Sequence, residues 1–226
     1  AQPKVRLRDF FAQSTLDETY TQGLFDLEVE LKNHSGERTR HTVVYELLDG
    51  SGRLVASDEK SVEISDSIGR LHFEAEIADV KTWTAETPSL YTLLLTMKDA
   101  SGKVTEATSI KTGFRTSEVK NGQYLVNGKP VLLKGVNLHE FNQLTGQVVT
   151  EADVRLDMER MKQLNVNAIR LSHYPQPAFF YDLADQYGFY VLDEANIESH
   201  GMGYDRSVGK SLGNNLEWTE AHLFRT

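Results

Sequence analysis

The sequence contains no cysteine. Disulfides, zinc ribbons and thiol catalysis are therefore excluded. The compartment stays open between cytoplasm and periplasm, because a reduced cytosol and a disulfide-free periplasmic protein both permit this. No cluster of Lys and Arg stands out against a net charge of −9. The densest basic run, Lys4-Val5-Arg6-Leu7-Arg8, is short. Nucleic acid and anionic membranes are thus not expected partners, since both require a basic face. No apolar stretch approaches the roughly 20 residues of a membrane span. The N-terminus lacks the apolar core of a signal peptide. A phosphate-cradling glycine loop, a His-Glu-x-x-His zinc motif and a Gly-x-Ser-x-Gly elbow are also missing.

What is present divides into two patterns. The chain has 226 residues, of which 39% are apolar, enough for two ordinary domains. Residues 1–22 read as a linker or first strand. From about residue 23 to 116 the hydrophobic period is two. Phe25, Leu27, Val29 and Leu31 alternate with charged neighbours, and Val43, Tyr45 and Leu47 continue the pattern. Val62 and Ile64 follow, then Leu71, Phe73, Ala75 and Ile77, then Tyr91, Leu93, Leu95 and Met97. Turn signals such as Asp49-Gly50-Ser51-Gly52 and Asp99-Ala100-Ser101-Gly102 lie between them. Short alternating strands at this spacing predict an antiparallel sandwich of immunoglobulin-like size.

After Gly113-Phe114-Arg115 the period changes. Asn127-Gly128 is a strong hairpin signal between two apolar runs. Thr150 is a plausible helix N-cap, with Glu151 and Asp153 in the first turn. Val154, Met158, Met161 and Leu164 then recur at helical spacing. Ala168 to His173 reads as a strand. Pro177 opens a second helix that Gly188 stops, and Phe189 to Leu192 is a third strand. Alternation of this kind implies a parallel sheet with right-handed crossovers. Residues 117–226 are too few for a closed (β/α)8 barrel of about 250 residues. The expectation is the N-terminal part of such a barrel, with the chain stopping inside a helix that starts near Trp218. A part-barrel exposes unpaired edges and apolar faces, so loose packing, self-association or rearrangement is expected there.

The three strands run into His139-Glu140, into His173-Tyr174 and into the segment Asp193 to Gly201. In a parallel barrel that end carries the chemistry. Glu198 and His200 are two apart, so on an extended backbone they share a side and could share one metal ion. Each residue also has a plainer reading. His139 and His173 can be satisfied by backbone carbonyls. Glu140 can cap a loop or pair with Arg170. Asp193 and Glu194 can be structural carboxylates bonded to Arg170, and for Asp193 that reading is preferred.

A series of motifs occurs in order: Trp83 to Tyr91 (WTAETPSLY), Gly113-Phe114-Arg115, Leu125 to Pro130 (LVNGKP), Gly135 to Glu140 (GVNLHE), Arg170 to Pro175 (RLSHYP) and Asp193 to Gly201 (DEANIESHG). The series resembles the β-galactosidases of glycoside hydrolase family 2. The resemblance implies a retaining hydrolase of terminal β-galactosides. Such enzymes use two glutamates, an acid/base and a nucleophile, about 5–5.5 Å apart. It implies that His139 and His173 bind sugar hydroxyls, and that Glu198 and His200 ligate an active-site Mg2+ whose third ligand is the acid/base glutamate. The family's acid/base lies in an Asn-Glu dipeptide. This sequence has none, so both catalytic glutamates are expected beyond Thr226 and the isolated chain is expected to be inactive. The parent is expected to be a homo-oligomer. Leu138 stands where many relatives carry Arg.

Other readings remain. β-Glucuronidases and β-mannosidases share the domain order and the Ser-His-Tyr-Pro element. A non-catalytic carbohydrate-binding module would need an exposed aromatic platform, whereas alternation turns most of Tyr45, Phe73, Trp83 and Tyr91 inward. A complete small metal-dependent hydrolase would use Glu194, Glu198 and His200, with a further ligand from Asp193, His173 or Glu140.

Overall fold

Seven long antiparallel strands form the first part of the chain. The structure, a computed structural model, describes residues 3–65, 68–203, 205 and 207–226. The strands are β1 (Val5–Leu16), β2 (Gly23–Asn33), β3 (Thr39–Leu48), β4 (Leu54–Ile64), β5 (Ile68–Ile77), β6 (Tyr91–Lys98) and β7 (Val104–Thr112). They form two sheets, ordered β1-β2-β5 and β4-β3-β6-β7. Inward and outward positions alternate strictly in β2, β3 and β6, and their inward residues are fully buried: Phe25, Leu27, Val29, Leu31, Val43, Tyr45, Leu47, Leu93, Leu95 and Met97. Tyr45 sits between Phe25 and Phe73, with ring centroids 5.3 Å from each. Tyr45, Phe73, Trp83 and Tyr91 all lie inside, so these aromatics offer no platform to a ligand.

β1 pairs with β2 from Val5 to Leu16. The sandwich therefore begins at Val5, and the segment expected as a linker or first strand is a full strand of it. Two hairpins repeat one device. Asp49 Oδ1 accepts from Ser51 N, Ser51 Oγ and Arg53 N. Asp99 Oδ1 accepts from Ser101 N, Ser101 Oγ and Lys103 N. These donors hold both carboxyls below the usual range, with the serine hydroxyl the largest cause in each.

Contacts divide the chain into Ala1–Val131 and Leu132–Thr226. A small meander, β8 (Ser117–Lys120), β9 (Gln123–Val126) and β10 (Lys129–Pro130), groups with the sandwich. Asn127 supplies the reason. Its Oδ1 accepts from Thr116 N at 3.0 Å and its Nδ2 donates to Trp83 O at 3.1 Å. Asn127 and Gly128 both have positive φ, the conformation that a two-residue hairpin of this type requires.

The second unit contains a parallel sheet, β11 (Gly135–Leu138), β12 (Ala168–Leu171) and β13 (Tyr190–Leu192), in sequential order. Helices α1 (Glu151–Gln163) and α2 (Ala178–Tyr187) connect the strands, and α3 spans Thr219–Arg225. Thr150 and Asp153 form a capping box at the start of α1, and Gly188 ends α2 in the left-handed conformation. Ile169 and Leu171 pack on Val154 and Met158 of α1 and on Phe180, Leu183 and Ala184 of α2. The sequential order shows that this sheet is not rearranged.

Candidate functional site

Strand register decides which side chains meet. Val136, Ile169 and Val191 are partners across the sheet and belong to the cluster under the helices. The alternate row, Asn137, Arg170 and Leu192, faces away from the helices. Glu194 lies two residues beyond Leu192 and keeps its side. Asp193 takes the other side.

That parity corrects one expectation. Arg170 Nε donates to Glu194 Oε1 at 2.5 Å, so its carboxylate partner is Glu194 rather than Asp193 or Glu140. Asp193 instead accepts from Tyr181 of α2 at 2.9 Å. Arg170 also reaches Asn137 Oδ1 and Ser172 Oγ, both at 3.3 Å. His173 Nδ1 meets the second oxygen of Glu194 at 2.9 Å. The peptide bond between Ser172 and His173 is cis. The hydrogen bond from His173 is the largest cause holding the Glu194 carboxyl below its ordinary value; burial opposes it, and the hydrogen bond and charge of Arg170 add to the lowering.

Three of the four anticipated site residues come together. The rings of His139 and His173 meet edge to face, with centroids 5.4 Å apart. Glu198 Oε2 lies 3.7 Å from His173 Nδ1. Glu194 and Glu198 line one open groove. His200 joins them through its backbone, since its N–H donates to Glu198 Oε1 at 2.6 Å. The backbone between them is not extended. Ser199 has φ −128 and ψ 21, and His200 opens a short 3-10 turn through Met202. The Glu198 carboxylate bends back onto that turn, so the shared side expected of an extended strand does not arise. Among the described residues, Glu194, Glu198 and His200 do not form a set of three ligating groups within 4.8 Å of one another. The ligand set of a complete small metal hydrolase is therefore not assembled.

Of the carboxylates expected against Arg170, the register selects Glu194. The signal that finds it is the pairing of Arg170 with Leu192, because a carboxylate two residues past the partner of an arginine shares its face. Gln176 is a residue that sequence reasoning missed. It is 7% exposed, and among the described residues both its amide atoms lack a partner. It lines a small cavity with His139, Glu140, Asp157 and Phe180.

For the magnesium ion that the resemblance implies, the donors present fit in part. Glu198 is 43% exposed, and Oε2 is the oxygen not taken by the His200 N–H. One or two carboxylates with retained waters are the usual Mg2+ arrangement, whereas an imidazole ligand is less common.

Residues 5–115 match the family described as glycosyl hydrolases family 2. Residues 117–226 match glycosyl hydrolases family 2, TIM barrel domain. A β-galactosidase of Priestia megaterium is 38% identical over 229 residues, covering 99% of this chain and 22% of the relative. A β-galactosidase of Streptococcus thermophilus is 40% identical over 227 residues, covering 99% and 21%. The chain thus spans about a fifth of the length of these relatives. Among solved structures, a β-glucuronidase of Parabacteroides merdae aligns with a TM-score of 0.75 at 30% identity, over 84% of this chain and 24% of that one. A β-glucuronidase of Bacteroides uniformis aligns with a TM-score of 0.80 over 93% and 27%, at 22% identity, which speaks to the fold alone. From its sandwich to its parallel strands, the chain belongs to glycosyl hydrolase family 2.

Proposed function

We propose that this chain is the immunoglobulin-like sandwich and the first strand–helix units of the barrel of a retaining β-galactosidase. In this reading it holds the sugar and a magnesium ion, while the acid/base and nucleophile lie outside it. The observation that carries the reading is the gathering of His139, His173, Glu194 and Glu198 beyond the C-terminal ends of adjacent parallel strands. Galactoside specificity is favoured by 38–40% identity to β-galactosidases over nearly the whole chain.

The residues have separable tasks. Glu194 is not the acid, because a carboxyl held low by His173 and Arg170 carries no proton near neutrality. It is a positioning residue. Its carboxylate accepts a hydrogen bond from His173 Nδ1–H at 2.9 Å, a better-placed partner than the Arg170 guanidinium at 3.3 Å. With Nδ1 engaged by Glu194, the other ring nitrogen, Nε2, is left for a sugar hydroxyl. His139, packed edge to face on His173, supplies a second contact. Such bonds aid catalysis if they tighten as the ring approaches the oxocarbenium-like transition state. Glu198, through the Oε2 that the His200 N–H leaves free, would hold the magnesium ion. That ion supplies fixed positive charge that orients water and keeps nearby carboxylates ionised.

The test compares this chain with a longer protein of the same gene that carries the rest of the barrel. Both are assayed on chromogenic β-galactoside and β-glucuronide, with Mg2+ and with chelator. The expected result is β-galactoside turnover by the longer protein alone, lowered by chelator and by Glu198→Gln. A preference for the glucuronide would overturn the specificity. Turnover by this chain would overturn the assignment of the catalytic pair elsewhere.

A further inference from the structure

The outer face of the sheet β1-β2-β5 carries a second group of ligating side chains, far in sequence from the strand ends described above. Gln13, Asp26 and Glu74 stand abreast in register across its three strands. His72, two residues before Glu74 on β5, points to the same face. Its Nε2 lies 2.7 Å from Asp26 Oδ2. One ligand atom each from Asp26, His72 and Glu74 falls within 4.8 Å of the other two.

Two features call for a cation here. Asp26 and Glu74 are directly opposed like charges, which destabilise a sheet unless compensated. Among the described residues neither is paired with Lys or Arg, and the nearby Arg8 and Arg70 both go to Glu30. The group also draws a proton towards His72, which a metal ion would have to displace. Asp26, Glu74 and Glu28 all hold the His72 imidazole above its ordinary value, the hydrogen bond to Asp26 being the largest cause.

The geometry suits a metal. A zinc-type ion binds nitrogen and oxygen at about 2.0–2.2 Å. Its ligand atoms then stand roughly 3–3.5 Å apart, within what small rotamer changes reach from the present positions. The backbone beneath is rigid, because Phe25, Leu27 and Phe73 on the reverse face are buried in the sandwich core. Beside the group runs an open groove lined by Gln13, Thr15, Asp26, Glu74 and Glu76, which leaves room for water ligands.

We propose that Asp26, His72 and Glu74 form a mononuclear site for a divalent first-row transition ion such as Zn2+, with water completing the coordination. The imidazole sets it apart from a Mg2+ or Ca2+ site, which would be built from oxygen.

The test is a Zn2+ titration of the whole chain by calorimetry in the presence of excess Mg2+, with circular dichroism to confirm folding. Wild type is compared with His72→Ala, Glu74→Lys and His200→Ala. The expected result is one Zn2+ site that His200→Ala retains and that His72→Ala weakens more than about tenfold, a loss already typical of altered outer-sphere partners. Glu74→Lys supplies the missing positive charge, so it should abolish the site while leaving the metal-free thermal midpoint at or above that of wild type. A folded His72→Ala protein that binds Zn2+ as wild type does would overturn the proposal. So would a wild type that takes up no Zn2+, or uptake removed by His200→Ala alone.

Discussion

Arg170 and Glu194, on the ends of neighbouring parallel strands, are joined by a 2.5 Å hydrogen bond, and the other oxygen of Glu194 takes His173 Nδ1. One carboxylate thus orients both an arginine and a histidine. Arg170→Met should leave the sheet folded but release Glu194 and His173. Because the pair is partly exposed, the stability cost should be small. The wider loss should appear in kcat/KM of a protein that carries the complete barrel.

Acid should act on the same contact. The folded-state pKa of Glu194 is depressed from its ordinary 4.5 by His173 first and Arg170 next. Its contribution to stability is therefore fully present above the unfolded value. It is lost as pH falls through the lower folded value. Between about pH 5 and pH 3 the wild type should lose more stability than Glu194→Gln, measured by urea denaturation at each pH. Equal losses would show that the contact does not persist in solution.

The capping box of α1 is a second measurable contribution. Thr150 N and Oγ1 donate to Asp153 Oδ2 at 2.8 and 2.7 Å, and Asp153 N donates back to Thr150 Oγ1 at 3.3 Å. Thr150→Ala should cost about 1 kcal/mol, read from the denaturation midpoint of the second unit.

Trp83 is 1% exposed and packs on Gly113, where an added Cβ would lie 2.9 Å from Trp83 Cδ1 and 3.0 Å from Cγ, atoms that Trp83→Ala removes, and 2.8 Å from Cβ, which it keeps. Gly113→Ala should cost about 1–3 kcal/mol by overpacking, and Trp83→Ala about 3–5 kcal/mol by the cavity it leaves. If overpacking is the cause, combining the two should cost less than the sum, a non-additivity that thermal unfolding of all three variants would read.

Gln176 tests the opposite case. Its buried amide has no partner among the described residues. Gln176→Leu, close in volume and apolar, should be neutral or stabilising by about 1 kcal/mol in urea titrations. A clear loss would mean that water or a ligand satisfies the amide in solution.

Local pattern carried most of the architecture. Alternation at Phe25 to Leu31 and at Tyr91 to Met97 has one amphipathic solution, a strand with one buried face. The capping residues Thr150 and Gly188 and the pair Asn127-Gly128 act within a few residues of themselves, so their conformations were legible in sequence. β1 was less so: in Val5 to Leu16 polar residues interrupt the alternation, and only pairing with β2 shows it to be a full strand. Which carboxylate meets Arg170 depended on register between strands more than 20 residues apart, a quantity no local pattern contains. The turn at Ser199, which spoils the extended geometry of Glu198-x-His200, depended on a carboxylate finding a backbone N–H. The sequence by itself determined the strands, helices, caps and the strand ends where ionisable residues gather, because those follow from side-chain periodicity and local backbone preference. Only the tertiary structure decided the partners, because side chains from separate elements meet through register and packing.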